Sequence, residues 1–366
     1  MSDLTTPHAR LHIPGPVEIS AETYAAMATP MIGHRSKDFV NLYDDIHPRL
    51  QELFGTTTQP VFLSTSSAWG VMEGALRNLA GHKKVLCCCS GAFSDKWVDV
   101  ARRCGLDAEA LQYDWGTPVN PADVKEKLDT GEFDVVTFIH NETSTGVMNP
   151  LAEVAEVVRS YGDDIMLVTD TVSSFSVVPM KFDELGVDVM LLGTQKALAL
   201  PPGLALFSVS ERAFARAETV EGRGYYFDFL EFKKNQEKSM TPSTPCIHTI
   251  YGLHHQLDNI FAEGLEARFA RHEKLNGMVH EWIDSKGLDY LAPEGFRSKS
   301  LTCISNNKEI DVAKLQGIMR DEHSIALDGG YGKVKGKTFR ISNMGDENET
   351  TINTLLAALD DSLEKL

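Results

Sequence analysis

The stretch LLGTQKALALPPGLALFSVS, residues 191–210, places a single lysine between two strongly apolar segments. The first segment has the continuous apolar character of a buried strand, and the second begins a new strand after Pro201, Pro202 and Gly203. A lone lysine after a strand is most often a solvated loop residue. The apolar surroundings of Lys196 favour a different interpretation, because desolvation disfavours the ammonium form and leaves part of the lysine neutral and nucleophilic.

Similar apolar runs occur elsewhere in the chain, and helical patterns separate them. The runs are KKVLCCCSG (83–91), FDVVTFIHNE (133–142), DIMLVTDTVSS (164–174) and VDVMLLGTQ (187–195). Continuous runs of this kind fit parallel strands that are covered on both faces. Helical patterns at 66–81 and 150–162 alternate with them. The alternation predicts an α/β sheet with helices on both sides.

The pattern changes after about residue 255. Residues 253–287 form one long helical pattern, and two shorter strand candidates follow at 300–306 and 337–343. This part of the chain predicts a smaller α+β domain. We expect the boundary, near 255–265, to be a continuous helix.

A chain of 366 residues is long enough for about two domains. We expect a large domain over residues 15–258. Residues 1–14 and 259–366 together are expected to form the small domain.

The composition is that of a soluble globular protein, with 42% hydrophobic and 24% charged residues. The net charge of −17 argues against nucleic acid and anionic membranes as partners, because both repel an acidic surface. The N-terminal stretch MSDLTTPHARLHIPGPVEIS lacks the apolar core of a signal peptide, and no run approaches the length that spans a bilayer. We therefore expect a cytoplasmic protein.

The cysteines and histidines predict no metal site. Three of the six cysteines, Cys87, Cys88 and Cys89, are consecutive, and none forms a CxxC pair. Neighbouring residues on a strand point to opposite faces, so these thiols make a poor chelate and are expected in the core. None of the twelve histidines has zinc spacing.

Polar residues follow the predicted strands where ligands bind in open α/β sheets. They include an acid, Asp170, an amine, Lys196, and an aromatic ring, Phe93. An acid and a lysine on neighbouring strand ends suggest pyridoxal phosphate, since that cofactor needs a Schiff-base lysine and a carboxylate for its ring nitrogen. A lone acid at a strand end, such as Asp170, is most often a helix N-cap, and the serines of STSS (64–67) are either a cap or a phosphate site at a helix N-terminus.

Motifs along nearly the whole chain resemble one family. Besides GTQKALALPPGLA, they are IPGPVEI (13–19), MIGHRSKDF (31–39), STSSAWGVMEGAL (64–76), HNETSTGV (140–147), DTVSS (170–174), TPSTP (241–245) and GKTFRISNMG (336–345). In this order they resemble the class V, fold type I PLP-dependent aminotransferases of the alanine–glyoxylate and serine–pyruvate branch. The resemblance implies a large domain with a mixed, mostly parallel sheet covered by helices, and a smaller C-terminal α+β domain.

The resemblance also implies a role for each matching residue. Lys196 forms the Schiff base with pyridoxal 5′-phosphate and then shuttles a proton, while Asp170 pairs with the pyridine nitrogen. The implied phosphate contacts are Ser66, Ser67, Ala68, Gln195 and, from a second subunit, Thr244. The implied ring contacts are Phe93, Val172 and, at the ring hydroxyl, Thr143. Arg340 is expected to bind the substrate α-carboxylate, with Gly15 close to it.

These expectations describe a transaminase that works by ping-pong half-reactions in a homodimer with shared sites. Alanine or serine is the expected donor, and glyoxylate or pyruvate the expected acceptor. The alternatives within the class are 2-aminoethylphosphonate–pyruvate, phosphoserine and aspartate transaminases. Either Arg35 or Arg223 could supply a second arginine that binds a carboxylate on the substrate side chain. A cysteine desulfurase-type lyase, which needs a mobile catalytic cysteine, and a non-catalytic PLP-binding protein are the rivals. The glycine-rich run DGGYGKVKGK (328–337) is expected to be a flexible loop leading to Arg340, since it lacks nucleotide-loop spacing.

Overall fold

The computed structural model describes residues 8–366 and contains strands and helices in alternation. The strands are β1 (Arg10–Leu11), β2 (Val61–Ser64), β3 (Lys84–Cys89), β4 (Ala108–Gln112), β5 (Phe133–Ile139), β6 (Asn141–Glu142), β7 (Val147–Met148), β8 (Met166–Asp170), β9 (Val189–Gly193), β10 (Ala205–Val209), β11 (Asp289–Tyr290), β12 (Leu301–Ser305), β13 (Ile325–Ala326) and β14 (Thr338–Ser342). The helices are α1 (Ala21–Met27), α2 (Lys37–Phe54), α3 (Ala68–Leu79), α4 (Ala92–Arg103), α5 (Pro121–Asp129), α6 (Leu151–Arg159), α7 (Phe182–Leu185), α8 (Glu211–Thr219), α9 (Phe229–Gln236), α10 (Ile247–Glu263), α11 (Leu265–Ser285), α12 (Val312–His323) and α13 (Glu349–Glu364).

A seven-stranded sheet forms the centre of the molecule, in the order β2-β10-β9-β8-β5-β3-β4. Strands β9, β8, β5, β3 and β4 run parallel, whereas β10 is antiparallel to both β9 and β2. The predicted mixed, mostly parallel sheet is confirmed. Its register pairs Asp170 with Ile139 on one side and with Leu191 on the other, which brings the carboxyl ends of β5, β8 and β9 together.

Strand β3 shows how the sheet is covered on both faces. Cys87 and Cys89 pack into a cluster with α3 and α4, while Cys88 packs into the cluster on the opposite face with α2 and α6. All three thiols are buried. The prediction that they are core residues is confirmed, because a strand buried on both faces places alternate side chains in two separate cores.

The expected continuous helix across 255–265 is wrong. Helix α10 ends before Gly264, whose φ of +85° interrupts the helix, and α11 begins directly after it. The two helices pack into different cores, since Leu257 of α10 lies against the central sheet and Leu275 of α11 lies against the C-terminal strands. The hydrophobic periodicity continues across the break because both helices are amphipathic, so only the glycine indicates it.

The C-terminal part contains a small antiparallel sheet in the order β11-β12-β14, and the two strands predicted at 300–306 and 337–343 are confirmed as β12 and β14. Strand β1 pairs in parallel with β13, which ties the N-terminal segment to this part of the chain. Residues 1–7 of the predicted small domain lie outside the described residues, and the division at residue 258 stays a prediction.

Among residues 8–366, none of the helices combines the length and the apolar character that a bilayer crossing requires.

Candidate active site

Lys196 lies just beyond the carboxyl end of β9 and is almost fully buried, with 9% of its surface exposed. Its Nζ donates a hydrogen bond to the carbonyl of Pro14, at the end of the N-terminal segment. The next residue, Gly15, has a φ of +125°, and a Cβ there would lie 2.5 Å from Nζ. Gly15 therefore lies against the end of the Lys196 side chain, and its predicted place beside the substrate carboxylate stays a prediction.

The pKa of Lys196 is lowered from 10.5 to about 8, chiefly by burial and also by the nearby positive charge of Arg340, while the negative charges of Asp170 and Asp328 oppose the shift. The N-terminal segment contributes to this burial, since Pro14 and Gly15 lie directly against the end of the lysine side chain. The turn that follows is held by Arg268, a buried residue of α11 that donates to the carbonyl of Ala197 at 2.5 Å. Sequence reasoning missed Arg268, because nothing near it in the chain indicates this contact.

Asp170 ends β8 and is buried beside Lys196. Its Oδ1 accepts a hydrogen bond of 2.8 Å from the amide of Val172, and its Oδ2 accepts none from residues 8–366. Burial raises the pKa of Asp170 to about 7, with a further contribution from Glu142, while the Val172 amide and Lys196 act in the opposite sense. Because burial in this pocket disfavours the bare carboxylate, the site suits a cationic partner on Oδ2.

Glu142 is the main residue that the sequence analysis missed. It is fully buried, and its carboxylate accepts five hydrogen bonds from the amides of Phe93, Ser94 and Ser144 and from both serine hydroxyls. These bonds join the first turn of α4 to the loop after β6. The signal in the sequence is an acid inside HNETSTGV, directly after a buried strand.

Arg340 lies on β14 and is only 4% exposed. Its Nε donates to Asp328 Oδ1 at 2.7 Å, and its Nη1 donates to the carbonyl of Thr143 at 2.7 Å. The hydroxyl of Thr143 lies 2.5 Å from that of Ser173. Nη2 makes no hydrogen bond to any residue within 8–366. The outer fork of the guanidinium, formed by Nη2 and the second N–H of Nη1, is therefore open to a carboxylate.

The three residues of the predicted phosphate cup lie at the start of α3. Ser67 is the N-cap, its side chain makes no capping hydrogen bond, and Ala68 begins the helix. The hydroxyl of Ser66 lies 2.9 Å from that of Ser64. A helix N-terminus with an unused serine hydroxyl provides N–H and O–H donors for a phosphate. Gln195, the other predicted phosphate contact from this chain, lies beside Lys196 and is partly buried.

Phe93 lies in the first turn of α4, and its ring stacks on that of Tyr331 with centroids 5.1 Å apart. Val172, the residue predicted for the opposite ring face, is partly buried after β8. The sequence analysis did not single out Tyr331, because it lies in a glycine-rich run that predicts only a loop.

Thr244 is exposed, with its hydroxyl 3.4 Å from Nε2 of His34. Its action on a second subunit stays a prediction. Arg35 donates to the carbonyls of Thr241 and Pro242, at 2.8 and 3.2 Å, and so holds the segment that carries Thr244.

Arg223, the other candidate for a second substrate arginine, pairs with Asp228 at 3.2 Å and also donates to the carbonyl of Ala217 at 2.8 Å. Arg35 makes no ion pair within residues 8–366. Both guanidinium groups are therefore engaged in holding loops of this chain.

The family model described as aminotransferase class-V matches residues 17–344. The chain belongs to the class-V aminotransferase family. It is 35% identical to the serine–glyoxylate aminotransferase of Methylorubrum extorquens, covering 96% of this chain and 90% of that protein. It is also 35% identical to the L-aspartate–glyoxylate aminotransferase of Paracoccus denitrificans, covering 92% and 86%. The crystal structure of an alanine–glyoxylate aminotransferase from Nostoc sp. superposes with a TM-score of 0.93 at 28% identity, covering 99% of this chain and 97% of that chain.

This class-V aminotransferase has the fold type I architecture, and its cofactor is pyridoxal 5′-phosphate. The residues present fit that group, because a buried lysine of lowered pKa faces a buried acid, and an uncapped helix N-terminus lies at the same edge of the sheet. When bound, the cofactor supplies an electron-withdrawing ring that accepts the electron pair left at Cα. Amino acids and 2-oxo acids are the substrates of such enzymes.

Proposed function

We propose that this class-V aminotransferase moves the amino group of alanine or serine to glyoxylate or pyruvate in two half-reactions of a ping-pong sequence. The observation that carries the proposal is the arrangement around Arg340. Its Nε and Nη1 are fixed by Asp328 and by the Thr143 carbonyl, while the outer fork remains open close to Lys196. A planar guanidinium binds a substrate α-carboxylate in two parallel hydrogen bonds and so orients Cα for proton transfer.

Lys196 and Asp170 divide the proton chemistry between them. Lys196 would hold the cofactor, and its Nζ would take the proton from Cα of the substrate. The lowered pKa leaves a larger fraction of this amine unprotonated near neutral pH than an ordinary lysine has. Asp170 would pair its carboxylate with the ring nitrogen of the cofactor and keep that nitrogen protonated.

The preference for a small, uncharged donor is supported by the fate of the two other candidate arginines. Arg35 donates to two backbone carbonyls and Arg223 pairs with Asp228, so both guanidinium groups already have partners within this chain. Two relatives of equal identity carry the names serine–glyoxylate and L-aspartate–glyoxylate aminotransferase. The open fork of Arg340 and the engaged arginines favour the first of these donors.

A homodimer with shared sites is part of the proposal. Thr244 is exposed, and so are two large aromatic side chains, Tyr225 and Tyr226, with 62% and 44% of their surfaces accessible. Exposed aromatic groups of this size are typical of contact surfaces. Thr244 would then reach the phosphate of the second subunit.

A desulfurase reaction needs a mobile, ionisable cysteine. Cys303 is buried in β12, and burial raises its pKa to about 12. Cys87, Cys88 and Cys89 are buried in β3. The burial of these four thiols favours a transaminase over a desulfurase.

A half-reaction screen tests the proposal. The enzyme carrying its cofactor is mixed with single amino donors, and the loss of the visible absorbance band is followed. Alanine and serine should convert the cofactor to its amino form, whereas aspartate, phosphoserine and 2-aminoethylphosphonate should react at least tenfold more slowly. Conversion by aspartate alone would refute the small-donor assignment, and sulfide release from cysteine would favour the desulfurase.

A further inference from the structure

We propose that Tyr331 is a specificity-determining residue that limits the size of the substrate side chain. This inference rests on the proposed function, because it concerns the donor bound at Arg340. The aromatic ring of Tyr331 lies between two residues of the site. It stacks on Phe93 at 5.1 Å, with 20° between the ring planes, and the guanidinium carbon of Arg340 lies 5.8 Å from the ring centroid.

The segment that carries Tyr331 is tied directly to the carboxylate-binding arginine. Asp328 Oδ1 accepts a hydrogen bond from Arg340 Nε at 2.7 Å and a second one from the amide of Gly330 at 2.8 Å. The same oxygen therefore positions the guanidinium and the backbone directly before Tyr331. Gly330 has a φ of +87°, and a Cβ there would lie 2.5 Å from the hydroxyl of Thr338, so a larger residue does not fit at this turn.

The far side of the segment is anchored as well. Gly332 packs so closely against Trp115 that a Cβ would lie 2.8 Å from the indole ring, and Lys333 Nζ lies 4.2 Å from the same ring. The amide of Gly336 donates to the carbonyl of Gly329 at 3.0 Å. The segment leads into β14 as the sequence predicts, but these contacts anchor it, which differs from the flexible loop that was expected.

Tyr331 has the properties of a wall that faces the substrate. Its side chain is 47% exposed, and its hydroxyl makes no hydrogen bond within residues 8–366. A substrate whose carboxylate lies on the open fork of Arg340 and whose Cα lies at Lys196 occupies the space beside the ring. Because the backbone around Tyr331 is anchored, a larger substrate side chain must displace the Tyr331 ring from its stack on Phe93.

Three variants distinguish the effect of the aromatic ring from the effect of the hydroxyl. Tyr331→Ala removes the ring, and the matched control Tyr331→Phe keeps it. Tyr331→Leu provides a second truncated variant. The first readout is the binding of unreactive carboxylic acids to the cofactor-loaded enzyme by titration calorimetry, with propionate as the small probe and 3-phenylpropionate as the large one. The second readout is kcat/KM for alanine and for leucine.

We expect the wild-type enzyme to bind propionate at least tenfold more tightly than 3-phenylpropionate. Tyr331→Ala should reduce that ratio at least tenfold and should raise kcat/KM for leucine relative to alanine by a similar factor, since each methylene is worth roughly 10–200-fold in such discrimination. Tyr331→Phe should stay within about threefold of the wild-type ratio, because it keeps the aromatic ring that limits the side chain.

An unchanged ratio in both truncated variants would overturn the inference, and so would an equal change in Tyr331→Phe, which would assign the effect to the hydroxyl. The carboxylic acids need no turnover. If the wild-type enzyme converts neither alanine nor serine, the proposed function fails, while the ratio of the two probes still tests Tyr331.

Discussion

The lowered pKa of Lys196 predicts a specific dependence of protein stability on pH. In the apoprotein the pKa falls from 10.5 to about 8, chiefly because the ammonium group is buried. At 1.36 kcal/mol per pKa unit, the protonated lysine costs the folded state roughly 3 kcal/mol. Replacing Lys196 by Met keeps the length of the side chain and removes this cost.

The sign follows from proton binding. Between pH 8 and 10.5 the unfolded chain keeps the proton on Lys196, whereas the folded protein has released it. The unfolded state therefore binds more protons, and the free energy of unfolding contributed by this group rises with pH. The cost is present in full below pH 8 and disappears as the pH approaches 10.5. In Lys196→Met the contribution is absent at every pH.

Urea unfolding of the two apoproteins, followed by far-UV circular dichroism at several values between pH 8 and pH 10, measures the effect. The free energy of unfolding of wild type should rise relative to that of Lys196→Met by roughly 2 kcal/mol over this range. Other groups that titrate at alkaline pH, such as the tyrosines, are common to both proteins and cancel in the difference. Parallel pH profiles would show that Lys196 keeps an ordinary pKa, and the proposed availability of its free amine near neutral pH would fail with it.

Three further predictions concern residues around Lys196 and Arg340. Gly15→Ala should weaken the visible absorbance of the bound cofactor and destabilise the protein by about 1–3 kcal/mol, because the added Cβ meets Nζ of Lys196 at 2.5 Å and the φ is strained. Glu142→Gln should lower the free energy of unfolding by about 1–3 kcal/mol in urea titrations, since an amide nitrogen replaces an oxygen that accepts hydrogen bonds from buried donors. Asp328→Asn should raise KM for the amino donor by roughly tenfold, with a smaller effect on kcat, because it weakens the charged anchor of Arg340.

Each of these predictions has a control and a contradicting result. Gly277→Ala, at a helical glycine with open space around its Cβ, should leave the absorbance unchanged, and equal behaviour of the two glycine variants would contradict the contact at Lys196. The control for Glu142→Gln is Glu153→Gln, which changes an exposed acid of α6 and should leave the free energy of unfolding nearly unchanged. A fall in kcat at constant KM for Asp328→Asn would show that the aspartate acts on the chemical step rather than on carboxylate binding.

The acid and the lysine of the site were predictable in kind because both lie at the ends of strands of the central sheet. Asp170 ends β8 and Lys196 follows β9, and the parallel pairing of these strands brings both to one edge. The break at Gly264 was not predicted, since amphipathic periodicity continues on both sides of it. Glu142 was present in a quoted motif, but three of the five hydrogen bonds that define its role come from Phe93 and Ser94 of α4.

The sequence by itself determined the alternation of buried strands and helices, the apolar surroundings of Lys196 and the order of the residues that identify a class-V aminotransferase. These features are local, because they depend on periodicity and on neighbours in the chain. Only the tertiary structure decided which groups meet at the site. The carbonyl of Pro14 reaches Lys196 across 182 positions, and Arg340 reaches the carbonyl of Thr143 across 197. Contacts of this range arise from the packing of the N-terminal segment and of the C-terminal strands against the central sheet, which no local pattern encodes.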